Sequence, residues 1–188
     1  MSKKLIKSGM IVSSMTLVSR VMGLVRDVVH NLSCPLQGRR VLILGAGGAT
    51  RGALLPILAQ RPAELWIVNR TVAKARELAD LAGQYQTGAV PVRGIGYADL
   101  GTAAFDAVFN ATSASLTAEL PPLPASAFAP GCLAYELAYG KGLTPFLRLA
   151  QQAGVTQLAD GVGMLAEQAA EAFEWWRGVR PDTAAVIA

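Results

Sequence analysis

VLILGAGGATRG, residues 41–52, runs four apolar residues straight into a glycine-rich turn and then into a helical pattern. A short apolar run bounded by glycines reads as a buried strand, and strand, glycine turn and helix in that order form the unit that holds a dinucleotide's phosphates. Gly45 allows the tight turn. Gly47 lets the backbone come close to a pyrophosphate, whose charge is stabilised by the unpaired amides at the start of the helix. The third position of the G-x-G-x-x-G pattern is Thr50, neither Gly nor Ala, so the turn alone is a weak signal, and a glycine turn without a ligand stays open as the plain alternative.

The next strand decides between ligands. LWIV (65–68) ends in Asn69, Arg70 and Thr71, 24 residues after Gly45, with Lys74 one helical turn further on. A site for an unphosphorylated adenosine ribose puts Asp or Glu at this point, because a carboxylate accepts both ribose hydroxyl protons and repels a 2′-phosphate. No carboxylate stands here. Asn and Thr can hydrogen-bond the phosphate, and the planar guanidinium of Arg70 can bind it or stack on the adenine; the plain alternative is a solvated arginine at a helix start. The charges select NADP over NAD.

From Arg40 onward short apolar runs alternate with longer helical stretches, as a parallel sheet with crossover helices requires. A helix from the glycine turn to about Ala59 and another over 72–82 are expected, with strands over AVPV (89–92), AVFN (107–110) and LAYE (133–136). Two closing helices follow in TPFLRLAQQAG and GVGMLAEQAAEAFEWWRG, the second stopped by Gly178 and Pro181. SASLTAELPPLPASAFAP (113–130) reads as a proline-rich surface loop, and Trp175 and Trp176 as helix-packing residues. The class is α/β, with a leader over 1–29 and one nucleotide-binding domain over 30–188.

The chain has 188 residues, 52% hydrophobic and 16% charged, ample for a buried core. Its net charge of +4 lies wholly in residues 1–29, where Lys3, Lys4, Lys7, Arg20 and Arg26 face Asp27; residues 30–188 carry 12 basic and 12 acidic groups. The remainder is therefore neutral and has no Lys/Arg cluster with interleaved aromatics, which excludes a nucleic-acid partner. Cys34, Cys132 and the single histidine, His30, make neither a disulfide framework nor a metal-ligand spacing. With no other histidine, Ser-His and Cys-His nucleophiles are excluded too. Free thiols and a reducing, cytoplasmic compartment are expected.

MSKKLIKSGMIVSSMTLVS (1–19) starts with lysines and continues in apolar and small residues, the layout of a targeting segment. It is short of the roughly 20 apolar residues that a transmembrane helix needs. A helix lying on a membrane, an uncleaved export-like signal and a fused or disordered tail all stay open.

GAGGATRG (45–52), VNRT (68–71), NATSAS (110–115), YELAYGKGLTPF (135–146) and DGVGMLAEQAAEAFEWW (160–176), in that order and spacing, resemble the cofactor domain of the shikimate dehydrogenases over residues 24–180. The resemblance implies a Rossmann-type doubly wound parallel sheet with helices on both faces, and NADPH-dependent interconversion of 3-dehydroshikimate and shikimate. It places Gly45, Ala46, Gly47, Gly48 and Ala49 on the pyrophosphate, and Asn69, Arg70, Thr71 and Lys74 at the 2′-phosphate. Thr112 and Ser113 would line the cleft, Leu137 the nicotinamide side, and Gly161 with Met164 the nicotinamide ring, while Tyr139 and Gln168 would reach the substrate. Lys74, where the family often has Arg, and Leu137, where Met is common, are departures expected to weaken binding modestly. Read without the resemblance, Met164 is a helix-core residue and Tyr139 a partly buried loop tyrosine.

In that family a Lys and Asp pair from a separate substrate domain handles the proton, because the alkoxide that develops is far more basic than neutral water tolerates. The Asp sits in an N-T-D-G-x-G stretch ahead of the connecting helix. With the last glycine set on Gly23, the Asn, Thr and Asp positions fall on Val18, Ser19 and Arg20, so a cation stands in place of the carboxylate. Lys141 and Asp160 are the only substitutes and read as surface-turn residues; no catalytic residue is assigned. Residues 1–29 resemble the first membrane segment of bacterial flippases for lipid-linked peptidoglycan precursors, and GLVRDVV (23–29) fits both likenesses. A chimeric or truncated chain, inactive alone, is expected. Open beside it are a partner that supplies the missing half, a non-enzymatic dinucleotide-binding module, a membrane-tethered interaction module, and a homodimer through the face around Tyr139 and Gln168.

Overall fold

Val41, Leu42, Ile43 and Leu44 are at most 1% exposed, as a strand covered on both faces requires. The computed structural model describes residues 23–85, 90–112, 121–140 and 142–187. In it this strand, β1 (Arg40–Leu44), is joined by β2 (Glu64–Val68), β3 (Val92–Ile95), β4 (Phe105–Asn110), β5 (Phe128–Glu136) and β6 (Gln157–Ala159). All pairs are parallel, in the order β3-β2-β1-β4-β5-β6. The chain winds outward from β1 to β3, then returns to β4 and winds the other way. The parallel α/β sheet expected from the alternation of runs is the fold, and it is doubly wound, as the resemblance implies.

Helices α2 (Gly48–Ala59) and α3 (Val72–Tyr85) make the first crossovers, and α4 (Pro145–Gln152) joins β5 to β6. Right-handed crossovers running in opposite directions put α4 on the face opposite α2 and α3. Side chains alternate accordingly. Leu42, Leu44, Trp66, Val68, Val108 and Ala134 share one core with Phe146, Leu147 and Ala150 of α4, in which Trp66 meets Phe105 edge-on at 5.3 Å between ring centroids. Val41, Ile43, Leu65, Ile67, Ala107 and Phe109 point the other way and are equally buried. Thr144 starts α4 by accepting a hydrogen bond from the Leu147 amide at 3.2 Å, with Pro145 in the first turn.

The chain divides into two compact units. One, Cys34–Gly161, holds the whole sheet with α2, α3 and α4. The other joins the residues up to Ser33 to Val162–Ala188. Its described part begins with a helical segment, α1 (23–26), that widens into a π-helical turn, Asp27–Asn31; α5 (Val162–Arg177) and α6 (Ala184–Ile187) follow. A side chain at Gly163 would fall on the Asp27 carboxylate, so the glycine lets α5 and the π turn approach. Glu167 of α5, 3% exposed, accepts from Asn31 Nδ2 at 3.2 Å, Thr183 Oγ1 at 2.6 Å and Arg180 Nη2 at 2.5 Å, with Arg26 Nε 3.2 Å away. Burial works against its ionisation, but hydrogen bonds from Thr183, Asn31 and Arg180 and the charge of Arg180 prevail and hold its pKa below the ordinary value. α5 ends as expected: Gly178, at φ +71°, returns its amide to the Glu174 carbonyl at 2.8 Å.

Several boundaries differ from expectation. The third strand begins at Val92, at the end of the expected 89–92 run, because the Pro91 nitrogen has no proton to give; its carbonyl takes the Leu65 amide instead, at 2.9 Å. Gly94, inside this strand, lies so close under α3 that a side chain would strike the Ala75 backbone. The fifth strand starts at Phe128, not Leu133, and Leu123, Ala127 and Phe128 belong to the core, so the described end of the 113–130 stretch is no surface loop. β6 has three half-buried residues and no apolar run to announce it. Trp175 and Trp176 do not pack: they are 74% and 85% exposed near the end of α5, beyond the turns that carry its buried Gly163, Glu167 and Ala170. Residues 1–22 of the expected leader lie outside the described residues, and no described helix is long and apolar enough to cross a membrane.

Candidate functional site

The glycine turn leaves the carboxyl end of β1, between β2 and β4, where the winding reverses and open α/β sheets bind ligands. Gly45 has φ +99° and donates its amide to the Val68 carbonyl at 2.8 Å. A Cβ here would need that rare backbone conformation and would come within 3.1 Å of the Ala111 carbonyl oxygen. Thr50, the irregular third position, is fully buried, and its hydroxyl donates to the Gly45 carbonyl at 2.8 Å. It ties the first turn of α2 back onto the bend. Gly47 caps α2 without a side-chain hydrogen bond, Gly48 and Ala49 are exposed, and open space stands where side chains at Gly47 or Gly48 would be. Uncapped amides at the positive end of a 12-residue helix suit an anion.

Asn69 continues β2 by donating its amide to the Ile95 carbonyl at 3.1 Å, and its Nδ2 donates to the Thr71 carbonyl at 3.0 Å. The Lys74 amide closes on the same Thr71 carbonyl at 3.1 Å. Arg70, Thr71 and Lys74 present exposed side chains on this turn. Glu77, the first carboxylate along α3, pairs with Arg51 of α2 at 2.7 Å. Burial pushes the half-buried Tyr97 phenol up, against the positive charge of Arg70.

The third wall is polar and buried. Glu136, at the end of β5, has no exposed surface. Its Oε2 accepts from Asn110 Nδ2 at 2.8 Å and Thr144 Oγ1 at 3.1 Å, and its Oε1 from the Ala138 amide at 3.3 Å. Asn110, 1% exposed at the end of β4, offers its Oδ1 to the Thr112 amide at 3.2 Å and the Thr112 hydroxyl at 2.7 Å. The Leu137 amide donates to the Asn110 carbonyl at 2.9 Å. Gly161 is buried, and a side chain there would fall on the Leu137 carbonyl oxygen. Sequence reasoning missed Thr50, Asn110, Glu136 and Thr144, because a contact such as Asn110–Glu136, 26 residues apart, has no local periodicity; their signal was only that polar residues close apolar runs.

Gly45, Ala46, Gly47, Gly48, Ala49, Asn69, Arg70, Thr71, Lys74, Thr112, Leu137, Tyr139 and Gly161 thus all stand in the sheet unit, on the turns that follow β1, β2, β4, β5 and β6 or in the first turns of α2 and α3. Tyr139 is 57% exposed. Met164 and Gln168 stand on α5 of the other unit, both half-buried, one turn apart, and a Cβ at Gly23 would lie 2.6 Å from the Met164 carbonyl oxygen. Ser113, Lys141 and Arg20 lie outside the described residues, and Asp160 is half-buried just ahead of α5. Among the described residues no group of His, Cys, Asp or Glu is arranged to hold a metal ion. Cys34 and Cys132 are buried free thiols; burial raises both, Cys132 to about 12.

Residues 27–118 match the shikimate/quinate 5-dehydrogenase family model, and residues 161–188 match that of the shikimate 5′-dehydrogenase C-terminal domain. A shikimate dehydrogenase (NADP(+)) from Chromobacterium violaceum is 57% identical over 161 residues, 86% of this chain and 58% of that protein. One from Aromatoleum aromaticum is 56% identical over 166 residues, 88% of this chain and 59% of that protein. The crystal structure of an Ael1 enzyme from Pseudomonas putida superposes with a TM-score of 0.82 at 60% identity, covering 90% of this chain and 60% of that one. The chain thus spans about three fifths of the length of the relatives it matches. The likeness of residues 1–29 to a lipid-precursor flippase finds no support in these comparisons.

Proposed function

The chain belongs to the shikimate dehydrogenase family, and on that premise we propose that it is the NADP(H)-binding part of an oxidoreductase acting on a shikimate-like ring. One observation carries the reading: uncapped α2 amides beside a β2 end that has Asn69, Arg70, Thr71 and Lys74 and no carboxylate. The amides of Gly48 and Ala49 take the pyrophosphate without a side chain in the way, and Thr50 keeps that bend rigid from below. The Arg70 guanidinium and Lys74 ammonium take the 2′-phosphate through charge-assisted hydrogen bonds, with Asn69 and Thr71 supplying neutral ones. Thr112, Leu137 and Gly161 bound the nicotinamide half. Tyr139 faces the ring substrate, whose shikimate-like class follows the names of the relatives.

When bound, the nicotinamide supplies or takes the hydride. What the chain itself contributes is orientation, since a hydride passes only between atoms held in near-attack geometry. The test is calorimetric titration of the full chain with NADPH and NADH. NADPH is expected to bind at least about tenfold tighter, the worth of one or two charge-assisted bonds, and Arg70→Ala to remove most of that margin. Equal affinity for the two cofactors would overturn the proposal. Adding shikimate to the chain with NADP(+) is expected to leave the nicotinamide absorbance unchanged, since no catalytic residue is assigned within it.

A further inference from the structure

α5 has two sides, and the described residues cover one of them. Gly163, Glu167 and Ala170 are buried, and α1 with its π turn lies on that side: a side chain at Gly23 would strike the Met164 carbonyl oxygen, and one at Gly163 the Asp27 carboxylate. Leu165, Ala169, Ala172, Phe173 and Trp176 follow one another at steps of three and four residues, which sets them in an apolar stripe along the other side. All five are exposed, Leu165 by 42%, Phe173 by 50% and Trp176 by 85%. A continuous apolar row of this kind marks an interaction surface. The stripe itself has no charged residue; Glu167 and Glu174 are turned to Arg180.

We propose that two copies of this chain associate through the stripe, their α5 helices antiparallel about a two-fold axis level with the peptide between Ala170 and Glu171. In that register Leu165 of each copy stands opposite Trp176 of the other, and Ala169 opposite Ala172. The two alanines let the helices come close at the centre, and each indole, too large for the middle, covers a leucine at the end. A parallel pair would instead set Trp176 on Trp176 and hold the alanines apart. Because the stripe is uncharged, a second copy meets no repulsion and buries no unpaired ion, while a strongly charged partner finds nothing to pair with. With 150–250 Å² for each aromatic side chain, the exposed fractions offer about 400 Å² per copy, half of the roughly 800 Å² per partner in a standard stable interface. The dimer is therefore reversible and forms at micromolar chain. It does not depend on the cofactor reading above.

Sedimentation velocity of the full chain from about 1 to about 100 µM is expected to show monomer giving way to dimer, with part of the tryptophan emission moving to the blue and resisting iodide as it does. Ala169→Glu, beside the axis, sets like charges against each other and should weaken association at least about tenfold. Trp175→Glu changes a side chain that is 74% exposed but off the stripe, and should alter association less than about twofold. Glutamate is a good helix former and both positions are exposed, so neither variant disturbs folding. Mixing Ala169→Glu with Ala172→Lys should restore the dimer, because the antiparallel register brings those two positions together. A chain that stays monomeric at about 100 µM overturns the proposal; if iodide is then kept from part of the emission at every concentration, another segment of the same chain occupies the stripe. A dimer that survives Ala169→Glu, one that Trp175→Glu weakens as much, or a mixture that stays monomeric overturns it as well.

Discussion

Glu136 and Glu167 are both shut away from solvent, at 0% and 3% exposure, and each gathers hydrogen-bond donors from distant parts of the chain. Glu136 accepts from an asparagine amide, a threonine hydroxyl and a backbone N–H. Around Glu167 two arginines join an asparagine and a threonine. The first arrangement joins the ends of β4 and β5 to the start of α4; the second gathers Arg26, Asn31, Arg180 and Thr183 from both ends of the chain onto α5. A site and a clasp draw on different reaches of the chain, and here each has its own buried carboxylate.

The strongest test of this contrast is Glu167→Ala, which strips the acceptor from two cations at once. It is expected to cost about 3 kcal/mol in chemical denaturation, as breaking a buried ion pair from one side does. Arg180→Ala should cost less, because Arg26, Asn31 and Thr183 remain on the carboxylate. Glu136→Gln is expected to cost about 2 kcal/mol, the desolvation of a buried donor left without an acceptor. A larger loss at Glu136 than at Glu167 would break the comparison.

Acid sharpens it further. Since the folded pKa of Glu167 lies below the 4.5 of the free group, its contribution is complete above that value and fades as pH falls from there through the folded pKa. Denaturation midpoints measured downward from neutral pH should decline over that range, and Glu167→Gln should flatten the decline. At the alkaline end the sign reverses. Cys132, raised to about 12 from 9.0, holds its proton in the fold and would lose it on unfolding, so stability erodes between those values; at neutral pH a thiol reagent should leave it unmodified until the chain unfolds. The smallest effect belongs to the exposed pair Arg51–Glu77, whose side chains are 51% and 65% exposed: Glu77→Ala should change stability by less than about 0.5 kcal/mol.

The apolar half of this protein could be read from its residues in order. Val41–Leu44, Leu65–Val68 and the end of β5 are runs that burial on both faces demands, and the glycines of the first turn declare a backbone that must bend and be approached. β3 moved because one proline nitrogen decides where pairing begins, and β6 was invisible because Gln157, Leu158 and Ala159 have no run at all. Thr50 looked like a defect in the glycine pattern; the hydroxyl bonded to Gly45 shows it as a substitute way of fixing the same turn. Glu136 and Glu167 could not have been found by periodicity, since their partners come from elsewhere in the chain. Trp175 and Trp176 misled for the reverse reason: large apolar side chains predict packing, and only the position of α5's buried turns shows that these two face water.

That exposure has an optical consequence. The chain has three tryptophans, of which Trp66 is 8% exposed against Phe105 and under the Arg93 guanidinium, 5.1 Å from its ring centre, while the other two sit in solvent. Native emission should therefore be dominated by a red-shifted, readily quenched component from the end of α5, with a small blue component from the sheet. Iodide should extinguish the first and spare the second, giving the core a fluorescent reporter of its own without any label.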